Sequence, residues 1–151
     1  MYRNILLAID VEDEEEAERA LREGSRLLAE GGSLHLATVF DPGGASFFPH
    51  VAADASEDIE QRARDSLSAL AEKHLAFNSG ATLHVLAGSP GEKLVALAAS
   101  IEADLILLVS RGAGGRWPLR RATVECVAVS APCAVLVLPA PVKEPQEGGA
   151  S

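Results

Sequence analysis

Residues 109–123, VSRGAGGRWPLRRAT, hold three glycines, four arginines and no acid, in a chain whose formal charge is −9. Glycines let backbone N–H groups approach an anion closely, arginines add positive charge, and a helix starting just beyond contributes the positive end of its dipole. That is phosphate-binding chemistry. The spacing Gly-x-Gly-Gly is a partial pattern only. The fingerprint of dinucleotide folds follows a first strand, and a P-loop needs Gly-Lys-Ser/Thr, which is absent here. The competing reading is a flexible turn whose arginines offset the acidic remainder, including eight carboxylates between Val11 and Glu30. Asp10 is a second candidate. It closes the apolar run ILLAI, where a carboxylate can accept hydrogen bonds from sugar hydroxyls, cap the following helix, or stand solvated at a strand end.

No catalytic constellation accompanies them. His35, His50, His74 and His84 lack metal-ligand spacing with Cys or with one another, and are expected to be surface or packing residues; no metal site is expected. Ser110 has no evident base to activate it as a nucleophile. Glu12 to Glu16 form a solvated helix start, where acids oppose the dipole favourably. Cys126 and Cys133 form no C-x-x-C pair and are expected to be buried thiols.

The elements that would position these groups alternate. Asn4–Ile9, with ILLAI at its centre, Leu105–Val109 (LILLV) and Ala134–Leu138 (AVLVL) carry continuous apolar runs of strand length, as in parallel strands buried on both faces. Leu34–Phe40 and Thr82–Leu86 are more mixed, as expected nearer a sheet edge. Ala17, Ala20, Leu21, Gly24, Leu27 and Leu28 share one face of a helix from about Asp13 to Glu30, which Gly31-Gly32 then stops. Ile59, Ala63, Leu67, Leu70 and His74 mark a second helix, roughly Glu57 to Phe77. A third opens at Ser89-Pro-Gly-Glu92, where Ser89 can cap, Pro90 suits the first helical position and Glu92 can complete a capping box; its apolar face is Leu94, Val95, Leu97, Ala98 and Ile101. A fourth spans about Leu119 to Ser130, with Val124, Val127 and Ala128 inward.

The order β-α-β-α-β-α-β-α-β predicts an α/β fold: an open five-stranded parallel sheet with right-handed crossovers and helices on both faces, Rossmann-like. Ligands of such sheets sit beyond the carboxyl ends of the strands, where the strand order reverses. The two most apolar strands, the first and fourth, are expected to be central and adjacent. Asp10, Ser110-Arg111-Gly112 and Val39-Phe40 would then meet in one crevice. The backbone at Val39 could face a base, although Val39 also reads as plain core.

The length of 151 residues suits one domain. The acidic balance argues against nucleic acid as a partner, and no apolar run approaches the roughly 20 residues of a membrane helix. MYRNILLAID lacks a cleavage site and reads as a strand, so a cytoplasmic protein is expected. Residues 41–56, DPGGASFFPHVAADAS, are a long insertion with Phe47, Phe48 and Pro49 available for a contact or for folding over the crevice. Residues 140–151 are expected to be a disordered tail after a domain at 1–139.

Three segments, NILLAID, AGSPGEKLVALAASIEADLILLVSRG and VECVAVSAPCAVLVLP, together resemble the universal stress protein family over about residues 1 to 139. The resemblance implies strand order 3-2-1-4-5, a homodimer, and in many members ATP held by Gly-x2-Gly-x9-Gly-Ser/Thr after the fourth strand. Here that motif is altered. Ser110-Arg111-Gly112 matches the Ser-His-Gly of many members, which puts Val109 at the first glycine and keeps Gly112 as the second. Counting back from Ala131-Pro132-Cys133, the closing Gly-Ser falls on Arg121-Ala122; a shift of one residue gives Ala122-Thr123. The nucleotide-facing set this implies is Ala8, Asp10, Val39, Leu108, Val109, Ser110, Arg111, Gly112, Arg121, Ala122 and Thr123, with ATP as the cofactor. The family also has a branch without nucleotide binding. The expected protein is therefore a non-enzymatic stress-response homodimer that binds ATP weakly or not at all and acts through unidentified protein partners; the alternative is a nucleotide binder with a variant phosphate loop and slow hydrolysis. In either case AVLVL would be an exposed apolar edge, which favours pairing with a second copy.

Overall fold

A computed structural model describes residues 1–40, 54–75, 80–110 and 121–139. The elements run β1 (Tyr2–Ala8), α1 (Glu14–Leu27), β2 (Leu28–Phe40), α2 (Asp54–His74), β3 (Thr82–Ala87), α3 (Pro90–Ser100), β4 (Leu105–Val109), α4 (Arg121–Ser130) and β5 (Ala134–Leu138). The strands form one parallel sheet of order β3-β2-β1-β4-β5, so the expected topology holds and β1 lies beside β4.

Alternation along the strands divides the core. Ile5, Leu7 and Ile9 of the first chain segment, with Leu105, Leu107 and Val109 of β4, meet Ala17, Ala20 and Leu21 of α1 and Leu67 and Leu70 of α2. Leu6, Ala8, Ile106 and Leu108 face the other way, onto Leu94 and Ala98 of α3 and Val127 of α4. A strand covered on both faces cannot alternate with polar residues, which is why Ile5–Ile9 and β4 read as unbroken apolar runs. Each such fully buried Leu or Ile contributes about 1.5–3 kcal/mol by removal from water.

The sheet's amino end is held by a polar clamp. The N–H groups of Arg3 and Asn4 donate to the Asp104 carboxylate at 2.9 and 3.0 Å, and Asp104 N–H donates to Asn4 O at 2.8 Å. The Asn4 amide also donates to the carbonyls of Ile101 and Glu102. These contacts join β1 to the turn entering β4 and so fix the adjacency on which the crevice depends. Burial pushes the Asp104 carboxyl up, but the donated N–H groups outweigh it and hold the group below its ordinary range.

Several local expectations are corrected. Helix α1 ends at Leu27, and Gly31-Gly32 lies inside β2 instead of stopping a helix. The register passes from Tyr2↔Leu28 to Asn4↔Ser33, so extra residues of β2 bulge out opposite Arg3, with Gly31 at φ +80. A bulge of this kind needs a residue at ease in the left-handed region. At α3, Ser89 occupies the N-cap position and Pro90 the first turn, but the Ser89 side chain makes no capping hydrogen bond, so the expected capping box does not form. In α4, Val127 is buried and Val124 packs on the core, whereas Ala128 is exposed. Cys126 and Cys133 are half-buried free thiols, not fully buried ones; burial and then Asp104 push the Cys133 thiol up. Helix α2 starts within the stretch read as an insertion; residues 41–53, including Phe47, Phe48 and Pro49, and the tail 140–151 lie outside the described residues.

Candidate functional site

The carboxyl ends of β1, β2 and β4 are brought together as expected. The ladder extends just past the strands, with Ile9 N–H donating to Ala37 O at 2.8 Å and Ser110 N–H to Leu138 O at 2.8 Å. This places Asp10 and Ser110 on neighbouring chain segments at the point where the strand order reverses, with Val39 on the other side of β1.

Asp10 is 3% exposed. Its Oδ1 accepts from Glu12 N–H at 2.9 Å, and its carbonyl accepts from Asp13 N–H at 3.2 Å. Asp10 thus shapes the turn between β1 and α1, and it does not cap the helix. Asp13 does, accepting from Glu16 N–H at 3.2 Å. The spacing Asp13-x-x-Glu16 was a readable signal for that cap. Glu14, Glu15 and Glu16 fill the first turn, so the positive end of α1 is already matched by carboxylates, and an incoming phosphate would be repelled there. An anion in this crevice belongs on the β4–α4 side.

On that side the backbone supply is limited. Ser110 N–H is committed to the sheet through Leu138 O and is not offered to a ligand. The side chains of Ala8, Val39, Leu108 and Val109 are core, all at most 3% exposed; only their main chains could border a ligand. Arg111 and Gly112 lie outside the described residues. Arg121 is the first residue of α4. Ala122 is exposed and Thr123 is 5% exposed. Under either register of the motif, then, the first turn of α4 offers no exposed hydroxyl at 122 or 123: the exposed position carries a methyl group, and the hydroxyl is buried. Helix α4 is held by close packing on α3. A Cβ at Gly91 would lie 2.6 Å from Cys126 Sγ, so only glycine lets the two helices approach this far, a constraint the sequence did not signal.

A second cluster was missed altogether. His35 of β2 and His84 of β3 stack with ring centroids 5.3 Å apart, and His35 Nδ1 and His84 Nε2 share a hydrogen bond at 3.0 Å. They are separated by 49 residues, so no sequence spacing reports them. Burial pushes the His35 imidazole down; burial, then His35 itself and Arg64, push His84 down. Both rings therefore take up protons less readily in the folded chain than in the unfolded one, where the value is about 6.5. The unfolded state binds more protons as pH falls below that point, and stability falls with it. We expect the melting temperature to drop as pH is lowered from about 6.5 through the depressed folded values, and to drop less in a His35→Gln, His84→Gln double variant. Equal pH slopes in the two proteins, followed by thermal melts, would refute this.

Elsewhere, Glu14 accepts from Lys73 Nζ and from His74 Nε2, the latter at 3.2 Å, tying α1 to the end of α2. Lys73 and then His74 hold the Glu14 carboxyl below its ordinary range, and Glu14 raises Lys73.

Comparison with known proteins places this geometry in context. A family model described as the universal stress protein family matches residues 1–139. Universal stress protein G of Escherichia coli O157:H7 is 30% identical over 115 residues, covering 74% of this chain and 80% of the relative. The crystal structure of a hypothetical protein, PH0823, superposes with a TM-score of 0.70 at 26% identity, covering 95% of this chain and 100% of that one. The universal stress protein from Archaeoglobus fulgidus, solved in complex with dAMP, superposes with a TM-score of 0.59 at 20% identity, covering 90% and 97%. No helix among the described residues is long and apolar enough to cross a membrane.

Proposed function

The chain belongs to the universal stress protein family, and on that premise we propose that it is a non-enzymatic stress-response protein acting as a homodimer, with a nucleotide-shaped crevice that binds ATP weakly or not at all. The carrying observation is the first turn of α4, where Ala122 is exposed and Thr123 buried. The closing hydroxyl of the family motif has no accessible counterpart there, and Arg121 stands where the closing glycine falls. Each hydrogen bond lost to a charged phosphate costs about 1.5–3 kcal/mol, or roughly tenfold in affinity. The commitment of Ser110 N–H to Leu138 and the acidic start of α1 act in the same direction.

A second reading is an adenine-nucleotide binder with a variant phosphate loop. It is favoured by the dAMP complex of the Archaeoglobus fulgidus relative and by the place of Asp10, just past the end of β1 at the switch point, where a carboxylate can meet a sugar hydroxyl. Calorimetric titration of the purified chain with Mg²⁺-ATP separates the two. The first reading expects no saturable heat in the micromolar range. Stoichiometric binding in that range would replace it with the second.

Dimerisation would use β5. Leu138 O faces β4 through Ser110 N–H, so by strand alternation Val135 and Val137 direct their N–H and C=O groups to the open edge. That edge is apolar and half-buried in the single chain, a template that a two-fold related copy would complete.

A further inference from the structure

We propose that His35 and His84 form a two-imidazole site for a borderline divalent transition ion such as Zn²⁺. Nothing in the nucleotide crevice takes part in it. The two residues stand on adjacent parallel strands, where Ala37 pairs with His84 and Thr82 with His35. His35 and Ala37 share a strand face, so both rings project on the side of the sheet that carries α3 and α4, one step apart along the diagonal. Being on strands and not on a loop, they are held in place before any ligand arrives.

The nitrogen spacing fits a metal. Two nitrogens about 2.0–2.1 Å from a tetrahedral Zn²⁺ lie about 3.3 Å from each other. His35 Nδ1 and His84 Nε2 are 3.0 Å apart, so the nitrogens need to part by only a few tenths of an ångström, while each ring turns from the other nitrogen towards the ion. Their hydrogen bond also requires at least one ring to be neutral, since two imidazolium rings would present donors to each other. Neutral imidazole is the ligating form. When both rings are neutral, the ring N–H between them would move to the other nitrogen of the same ring as the metal enters. Binding then releases no net proton.

Among the described residues no third His, Cys, Asp or Glu completes a cluster. The remaining coordination positions would be filled by water or by a small exogenous ligand, an open arrangement unlike the closed four-ligand sites of structural zinc. The formal charge of −9 draws cations towards the molecule generally, but does not select this site; the paired imidazoles do.

The test is titration of the tag-free full chain with Zn²⁺ by calorimetry, followed by ¹H–¹⁵N spectra of protein labelled at histidine. Saturable binding of one ion per chain is expected, with shifts at His35 Nδ1 and His84 Nε2. His35→Gln and His84→Gln should each remove that binding while circular dichroism stays native. No saturable binding in the wild type, shifts confined to His50 or His74, or unchanged binding in folded variants would each overturn the assignment. Should a variant fail to fold, the spectra of the wild type decide alone.

Discussion

If two copies pair through β5 as proposed, Val137→Pro is expected to leave the chain a folded monomer. The Val137 N–H points away from β4, by alternation from Leu138, whose carbonyl accepts from Ser110. Proline at that position removes a donor that only a second copy would use, and edge strands tolerate proline where the N–H faces solvent. Antiparallel pairing of two β5 strands about a two-fold axis would lose the donor twice. At about 0.5–1.5 kcal/mol each, before any clash of the rings, the dissociation constant should rise roughly fivefold or more. Leu136→Pro is the contrast. Leu136 pairs with Leu107 inside the sheet, so its proline variant should lose the fold. Sedimentation equilibrium and thermal melts check both. A monomeric wild type, or a Val137→Pro protein as dimeric as the wild type, would remove β5 as the interface.

The second large effect concerns the phosphate side of the crevice. The double substitution Arg121→Gly, Ala122→Ser restores a small residue and an exposed hydroxyl at the start of α4, where Ala122 already stands exposed. A regained hydrogen bond to a charged phosphate contributes about 1.5–3 kcal/mol, so ATP affinity should rise roughly tenfold or more. AMP, with fewer phosphates, should gain less. Calorimetry on both nucleotides reads the difference. If neither affinity changes, the first turn of α4 does not limit binding, and the acidic turn of α1 becomes the obstacle to remove.

These experiments follow from features that were unequally legible. Leu105–Val109 and Ala134–Leu138 were read with the bounds the structure has, because a strand under helices must be apolar at every position. The second strand was read six residues short, since Gly31-Gly32 is a helix stop by local chemistry and a bulge only when β1 lies alongside. The cap at Asp13 was present in the pattern but was overlooked in favour of Asp10.

By itself the sequence determined the layered order and the adjacency of the two most apolar strands, and with the family resemblance it put Arg121 and Ala122 where the motif closes with Gly-Ser. Hydrophobic period and residue type are local properties, and they are enough for that. Only the tertiary structure decided that Ser110 gives its N–H to Leu138, that Thr123 turns inward while Ala122 turns out, and that His35 meets His84. Each depends on register between segments distant in the chain, and register is set by the packing of the whole sheet.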